Sequence, residues 1–296
     1  MKIIQKRKFL YFFSGALVLA SILALSVWGL KLGIDFTGGV LMEVDFHQQS
    51  PNKNEIQQSI ESVGGIGSIQ VQPVDENGGL VRFSSDSDSK SEEVSDVLKQ
   101  SFPSVEVVRV EFISSVISSE LKSGAIYAVI IAIIGIAGYI AWAFKKISYP
   151  IKSWKYGVCA VVALVHDILI TVGIFSVLGR FYGLEVGISF VAALLTILGY
   201  SINDTIVVYD RIRENLLRAG GAKEFEETVN NSINETLGRS INTSMTVILV
   251  LLAIIFFGGG DIKYFALALA IGVLFGTYSS IFVASSLVVD IWKKDQ

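Results

Sequence analysis

Six long stretches that are nearly free of charge dominate this 296-residue sequence. A helix needs about 20 apolar residues to cross the hydrocarbon core of a bilayer. Lipid offers no hydrogen-bond partners, so the backbone of such a stretch must satisfy itself as a helix. The six stretches are residues 9–29, 123–144, 157–178, 187–209, 240–258 and 264–289. They predict a multi-pass α-helical membrane protein, with one transmembrane helix before a long polar segment and five after it.

Composition excludes several other classes of protein. Charged residues make up 17% of the chain, against about 25% in a typical soluble domain. The formal net charge of −3 supplies no positive field for nucleic acid, so no nucleic-acid partner is predicted. Cys159 is the single cysteine, which excludes an internal disulfide and a cysteine-rich metal site.

The first apolar stretch has two readings. Residues 1–8 are basic and Ala24-Leu25-Ser26 is a small-x-small triplet, as in a secretory signal peptide. The apolar core of a signal peptide is about 7–15 residues long, and this stretch is longer. We therefore expect an uncleaved membrane anchor.

The distribution of Lys and Arg predicts the orientation, because cytoplasmic loops carry an excess of these residues. The two short loops on one side hold only Arg180 and Lys263. Lys and Arg concentrate on the other side, in residues 1–8, 145–155, 210–239 and 290–296. Both termini and an amphipathic loop at 210–239 are therefore predicted to be cytoplasmic. Residues 30–122 are predicted to lie outside.

The segment at 30–122 changes character and alternates short strand and helix patterns. The pattern predicts strands at 40–46, 68–74, 80–84 and 105–113, and helices at 53–63 and 91–100. The order is βαββαβ, which predicts a small α+β domain with a ferredoxin-like fold. Its one histidine, His47, has no cysteine or second histidine nearby, so binding or scaffolding is a better expectation than catalysis.

The fourth apolar stretch contains a polar cluster. Ser201, Asp204 and Thr205 fall on one helix face by i+3 and i+4 spacing, Asn203 lies beside them, and Arg211 returns to that face two turns later. A charge within the bilayer is costly, so such a group is presumed to be functional. The alternative is a hydrogen-bonded clamp between helices.

Two other places carry ionisable groups in or next to apolar stretches. His166 and Asp167 lie halfway along the third stretch and fit either a proton relay or a polar contact between helices, since imidazole titrates near neutral pH. The sequence leaves this choice open. Arg239 lies where the fifth stretch begins and by itself is typical of an arginine that extends toward the membrane interface.

Two classes of intramembrane enzyme are excluded by the motifs that they require. Asp167 and Asp204 on neighbouring spans suggest an aspartyl dyad, but no GxGD motif surrounds either residue. A zinc protease requires an HExxH helix, and His166 is followed by Asp167 and Ile168. No enzyme activity, metal site or cofactor is predicted.

Three motifs together resemble the SecD/SecF protein-export family. They are Gly33-Ile34-Asp35-Phe36-Thr37-Gly38-Gly39, the stretch GYSINDTIVVYDRIREN at 199–215, which has the SecF form, and Thr236-Leu237-Gly238-Arg239-Ser240. Ser240 stands where that family more usually has threonine. The resemblance covers the whole chain, with one span, a polar domain and five further spans.

The resemblance implies a non-enzymatic subunit of the bacterial Sec accessory complex in the cytoplasmic membrane. It implies SecD as a partner, transient contact with the SecYEG channel and the SecA motor, exported polypeptides as cargo, and proton flow as the driving force after the SecA-driven stage. It also implies that Asp204 and Arg239 are the residues tied to proton transport. The rival reading is half of an RND-type proton-driven exporter of lipids or small molecules, although one small external domain leaves little room for a porter pocket.

Overall fold

A computed structural model describes residues 2–47, 51–67, 69–74, 77–85, 87–143, 151–218 and 225–294. The chain divides into two compact units. The helical unit comprises Met1–Leu30, Tyr127–Leu184 and Ser189–Gln296, and the α+β unit comprises Lys31–Ile126 and Glu185–Ile188.

The elements follow one another in a regular order. A 3₁₀ turn, Ile4–Lys6, comes first, followed by α1 (Arg7–Trp28), α2 (Ile34–Thr37), β1 (Gly39–Asp45), α3 (Lys53–Glu61), β2 (Ile69–Val74), β3 (Gly78–Phe83), α4 (Ser89–Ser101), β4 (Glu106–Ile113), α5 (Ser115–Ala143), α6 (Ser153–Tyr182), α7 (Ile188–Arg218), α8 (Phe225–Phe257) and α9 (Gly260–Ser279). A π-helical turn, Ser280–Ala284, joins α9 to α10 (Ser285–Lys294).

Six helices in the described residues are long and apolar enough to cross a membrane. They are α1 with its 3₁₀ turn, α5, α6, α7, α8, and α9 continuing into α10. This confirms the predicted architecture of one transmembrane helix plus five.

Several of these helices extend beyond the apolar stretches that predicted them. α5 begins at Ser115, eight residues before the predicted start, and the predicted last residue, Phe144, lies outside the described residues. The segment 210–239, predicted as a loop, is helical in both its described parts. The reason is visible in α8, where Val229, Ile233 and Thr236 continue a buried face at helical spacing.

The α+β unit contains a four-stranded sheet in the order β2-β3-β1-β4. Every neighbouring pair is antiparallel, and the register between β1 and β4 shifts once, where Glu43 pairs with Arg109 and Val44 with Val107. With α3 and α4 in the connections, this is the βαββαβ arrangement predicted from the sequence.

Local sequence explains these elements. Val40, Met42 and Val44 are buried along β1 while the residues between them are partly exposed, which is the period-two pattern of a half-buried strand. α3 begins at a capping box in which Asn52 accepts from the backbone of Asn54 and Glu55 reaches back to Asn52. The sheet and the buried faces of α3 and α4 form one hydrophobic core.

Glycines let helices of the helical unit approach one another closely. A Cβ atom on Gly272 of α9 would meet the side chain of Ile197 on α7, and one on Gly276 would lie 2.9 Å from Ser201 Cβ. Gly173 of α6 makes a similar approach to Ser21 of α1. Small residues at such contacts are typical of helix packing in membranes, and here they bring α7 and α9 together beside the polar cluster.

Candidate functional site

Asp204 lies at the centre of the candidate site, on the buried face of α7. Its residue surface is 8% exposed. Its Oδ1 accepts a hydrogen bond of 2.7 Å from Ser240 Oγ on α8. Its Oδ2 is buried and has no hydrogen-bond partner in the part of the chain that the structure describes. One oxygen of the Asp204 carboxylate therefore accepts a hydrogen bond, and the other has no partner among the described residues.

Arg239 immediately precedes Ser240 on α8. Its side chain is exposed, and the residue after it donates to Asp204 Oδ1. Across residues 2–294, apart from the gaps in the description, Arg239 forms no salt bridge. Arg239 is thus one residue along α8 from the serine that bonds Asp204, and no salt bridge between Arg239 and Asp204 occurs in the described residues.

Hydroxyl groups on α7, α8 and α9 form hydrogen bonds with one another next to Asp204. Ser244 Oγ donates to the carbonyl oxygen of Ser240 at 2.8 Å. Tyr200 on α7 donates to Ser244 Oγ at 3.1 Å, and Thr277 on α9 shares a hydrogen bond with the same Ser244 hydroxyl. Asp204 therefore lies next to a polar contact between α7, α8 and α9.

Asp167 on α6 is a second buried carboxylate, and both its oxygens are occupied. The residue is 0% exposed. Its Oδ1 lies 3.0 Å from His166 Nδ1. Its Oδ2 accepts hydrogen bonds from Ser201 on α7 at 2.6 Å and from Ser279 on α9 at 2.8 Å. This residue joins three helices.

His166 packs its ring against Tyr278, with ring centroids 6.2 Å apart. Its Nε2 atom is buried and has no hydrogen-bond partner among the described residues. The tyrosine hydroxyl is turned to α1, where it lies 3.0 Å from Ser14 Oγ. The His166–Asp167 pair is therefore part of the contact between α1, α6, α7 and α9.

The hydrogen bonds of the described residues do not form a hydroxyl chain from Asp167 to Asp204. Thr205 Oγ1 and Ser280 Oγ lie 2.7 Å apart, so one donates to the other, and both lie 3.1 Å from the backbone carbonyl oxygen of Ser201 rather than next to its hydroxyl. A carbonyl oxygen has no proton to pass on. The two carboxylates thus form separate local networks.

The structure brings together some of the predicted site residues and not others. Ser201, Asp204 and Thr205 are all buried on one face of α7, but Ser201 and Thr205 bond toward α6 and α9 rather than to Asp204. Asn203 is exposed, because one residue along a helix turns the side chain by about 100°. Arg211 forms salt bridges with Glu214 and Glu235, so its guanidinium is engaged two turns away from Asp204.

Five hydroxyl residues of the site were missed as site residues by sequence reasoning. They are Ser240, Ser244, Thr277, Ser279 and Ser280. Spacing is the signal for four of them, since Ser240 and Ser244 are four residues apart on α8 and Thr277 and Ser280 are three residues apart.

The segment Gly33–Gly39 lies in the α+β unit, and its glycines have definite roles. Gly38 and Gly39 have φ angles of 72° and 118°, which side chains with a Cβ rarely adopt. A Cβ atom on Gly39 would also lie 2.6 Å from the carbonyl oxygen of Phe83. Asp35 Oδ2 accepts a hydrogen bond of 2.7 Å from the backbone nitrogen of Ile188, the first residue of α7. The motif thus makes a tight turn and holds the α6–α7 connection.

No group of three or more His, Cys, Asp or Glu residues that could hold a metal ion occurs in the described ranges. What the fold and the site define is a polytopic membrane protein with a small α+β unit between its first two spans and a partly bonded carboxylate inside its helices. Intramembrane carboxylates of this kind mark ion pathways and proton relays.

Comparison with known sequences gives the family. The family model "Protein export membrane protein SecD/SecF, C-terminal" matches residues 93–294, and the model "SecD/SecF GG Motif" matches residues 24–50. Protein translocase subunit SecF of Thermobaculum terrenum is 41% identical over 99% of this chain and 94% of its own length. The SecF subunit of Rhodothermus marinus is 40% identical over 97% of this chain and 92% of its own length. The chain belongs to the SecD/SecF protein-export family, among its SecF translocase subunits, which confirms the resemblance of the motifs.

Solved structures agree with this assignment. The crystal structure of SecDF from Thermus thermophilus, a translocon-associated membrane protein, superposes with a TM-score of 0.84 and 33% identity over 99% of this chain. A SecDF structure in a super-membrane-facing form gives a TM-score of 0.69 and 34% identity. This chain spans 39% of the length of each SecDF chain.

Proposed function

We propose that this chain acts with SecD in the bacterial cytoplasmic membrane, where the pair uses the proton motive force to promote protein export after the SecA-driven stage. Asp204 carries the proton in this proposal. Arg239 regulates it. The SecYEG channel and SecA are transient partners, and exported polypeptides are the cargo.

The proposal rests on Asp204 Oδ2, the carboxylate oxygen that has no hydrogen-bond partner among the described residues. A protonated carboxyl group is a donor as well as an acceptor, so a group that cycles a proton needs one oxygen that is not already held by donors. Asp204 has such an atom, Oδ2, inside the described bundle. Asp167 does not, because its Oδ2 accepts from Ser201 and Ser279 and its Oδ1 is hydrogen-bonded to His166 Nδ1.

Arg239 supplies the control of proton affinity. A guanidinium stays charged under all physiological conditions, and its nearness favours the ionised form of a carboxyl group. Approach of Arg239 toward Asp204 therefore promotes proton release, and its withdrawal promotes proton uptake. One charge that crosses 100 mV contributes about 2.3 kcal/mol, which is enough to bias a two-state motion.

Asp167 and His166 have a different role in this proposal. Their bonds to Ser201 and Ser279 support a joint that sets the position of α7 against α6 and α9. The contact between helices is therefore the reading that we adopt for this pair, in place of a relay to Asp204.

SecD as the partner is supported by the SecDF structures, of which this chain matches only 39%. In this proposal SecD corresponds to the rest of such a SecDF chain. Both termini are placed in the cytoplasm by the Lys and Arg distribution. The relatives named above are protein translocase subunits, which favours export of polypeptides over the lipid or small-molecule exporter.

The test is export into inverted membrane vesicles that contain this chain with SecD. Asp204→Asn keeps the shape of the side chain but cannot cycle a proton. The matched control is Asp210→Asn, a carboxylate on the same helix that is paired with Arg213 at 3.1 Å on the exposed side. Assembly is measured by co-purification with SecD, and export is measured with and without an uncoupler.

We expect Asp204→Asn to assemble normally and to lose the uncoupler-sensitive part of export, while Asp210→Asn retains it. Full gradient-dependent export in Asp204→Asn vesicles would contradict proton transport by Asp204 and would leave it only a structural role, as a contact between helices.

A further inference from the structure

The connection between α6 and α7 packs within the α+β unit, far along the chain from the strands and helices of that unit. The backbone nitrogen of Val186 donates to the carbonyl oxygen of Lys31 at 2.8 Å, and Gly33 N donates to the carbonyl oxygen of Val186 at 2.9 Å. Leu32 and Val186 thereby form a parallel bridge. Backbone pairing therefore holds the connection to the start of the Gly33–Gly39 segment.

A buried ionic contact strengthens this attachment. The side chain of Glu185 is 8% exposed. Its two carboxylate oxygens lie 2.9 Å from Arg82 Nε on β3 and 3.2 Å from Lys31 Nζ. Removing one member of a buried ion pair leaves an uncompensated charge and is strongly destabilising. The connection is thus bonded to the sheet as well as to the Gly33–Gly39 segment.

Asp35 completes the attachment at the first residue of α7. Its carboxylate accepts from Ile188 N, one of the N–H groups that a helix leaves unsatisfied at its N-terminus. A Cβ atom on Gly187 would lie 2.4 Å from Asp35 Oδ2, so a larger residue there would displace the carboxylate from its position against Ile188 N. A residue of the family motif therefore fixes where α7 begins.

We propose that Asp35 and Glu185 hold the α6–α7 connection to the α+β unit throughout the transport cycle, so that the start of α7 and the α+β unit move together. This rests on the proposed function, because Asp204 lies sixteen residues along the same helix, about 24 Å at 1.5 Å per residue. Asp35 and Glu185 are positioning residues in this scheme. They couple proton binding at Asp204 to motion of the α+β unit without touching the proton.

The first experiment compares Asp35→Ala, Asp35→Asn and Gly187→Ala in vesicles with SecD. Gradient-driven export is measured together with proton uptake, which is followed with a pH-sensitive dye. The control is Asp45→Ala, which removes a carboxylate that accepts from a backbone nitrogen, that of His47, at 2.8 Å in the same unit. Gly64→Ala controls for the added methyl group, since nothing lies within 4 Å of it.

We expect Asp35→Ala and Gly187→Ala to lower export about fivefold while proton uptake is retained. Loss of one helix N-cap changes the ratio of attached to detached connection by about this factor. Asp35→Asn and both controls should export normally, because an amide oxygen also caps a helix. Unchanged export in Asp35→Ala, or equal loss of export and proton uptake, would overturn the proposal. Asp204→Asn in the same assay reports separately on the proposed function, since normal export in that variant would contradict the proton site whatever Asp35 does.

The second experiment locks the attachment. Leu32→Cys and Val186→Cys are combined with Cys159→Ser, and the pair is bridged by oxidation or by a short thiol crosslinker. The proposal expects efficient bridging and equal gradient-driven export before and after it, since the contact never opens. Failure to bridge, or export that stops on bridging and returns on reduction, would show that the connection leaves the unit during the cycle.

Discussion

Ser201 Oγ donates to Asp167 Oδ2 at 2.6 Å and so joins α7 to α6 at a point one turn before Asp204. α7 thus contains a serine that is hydrogen-bonded to Asp167 and, three residues later, the Asp204 carboxylate, whose Oδ2 has no hydrogen-bond partner among the described residues. In the proposed cycle the Ser201–Asp167 contact keeps α7 in place while Asp204 binds and releases its proton.

Ser240→Ala tests the one hydrogen bond that Asp204 accepts. The loss of a hydrogen bond to a charged group costs about 1.5–3 kcal/mol, so gradient-driven export should fall about tenfold or more. Ser240→Thr keeps the hydroxyl and should retain export. The measurement is export into vesicles at equal levels of assembled protein, and equal export by the two variants would exclude a role for this bond.

Arg239→Lys should give an intermediate loss of gradient-driven export, and Arg239→Gln a larger one. Lysine keeps the charge but not the planar guanidinium, whereas glutamine removes the charge. Arg211→Gln is the matched control, because Arg211 forms salt bridges with Glu214 and Glu235, and pairs near a surface contribute little. A defect in Arg211→Gln as large as that in Arg239→Gln would mean that cationic charge in general, rather than Arg239, is needed.

Asp167→Ala should lower the stability of the protein more than any substitution at Asp204. It removes the partner of Ser201, Ser279 and His166 at once, and each buried polar group left without a partner costs about 1–3 kcal/mol. Asp167→Asn should be milder, since its amide oxygen accepts from both serines while its NH₂ faces His166 Nδ1 in the other tautomer. Thermal unfolding in detergent measures the difference, and equal midpoints for the two variants would contradict this account.

Gly276→Ala should destabilise the packing of α7 against α9. The new Cβ atom would lie 2.9 Å from Ser201 Cβ, and overpacking of this kind costs about 1–3 kcal/mol. Gly199→Ala on α7 is the control, because nothing lies within 4 Å of its added methyl group. The same thermal unfolding measurement applies. A Gly276→Ala protein as stable as the control would show that the helices separate without cost.

The predicted orientation is tested with cysteines in a Cys159→Ser background. Lys99→Cys on α4 should react with an impermeant thiol reagent added to intact cells, whereas Asn231→Cys in the first part of α8 should not. Both positions are exposed, so accessibility alone does not separate them. Labelling of Asn231→Cys from outside would show that the predicted topology is wrong.

Local periodicity was sufficient to predict the four strands and the helices α3 and α4 of the α+β unit. The strand expected at 40–46 is Gly39–Asp45, and the helix expected at 53–63 is Lys53–Glu61, because alternation and helical spacing are properties of neighbouring residues. The ends of the helices were harder to predict from the sequence. Apolar length alone placed the start of the fifth span at 240, while α8 begins at Phe225, since an amphipathic face continues a helix beyond the apolar stretch.

The sequence by itself determined that six helices cross a membrane, that a ferredoxin-like unit separates the first two, and that Asp204 and Asp167 are buried carboxylates. Only the tertiary structure decided which hydroxyl meets which carboxylate. Ser240 bonds Asp204, Ser279 bonds Asp167, and Glu185 pairs with Arg82, although these partners lie far apart in the chain. The physical reason is that spacing along a helix reports which face is buried, whereas the partner of a polar group depends on which helix packs against that face and at what height.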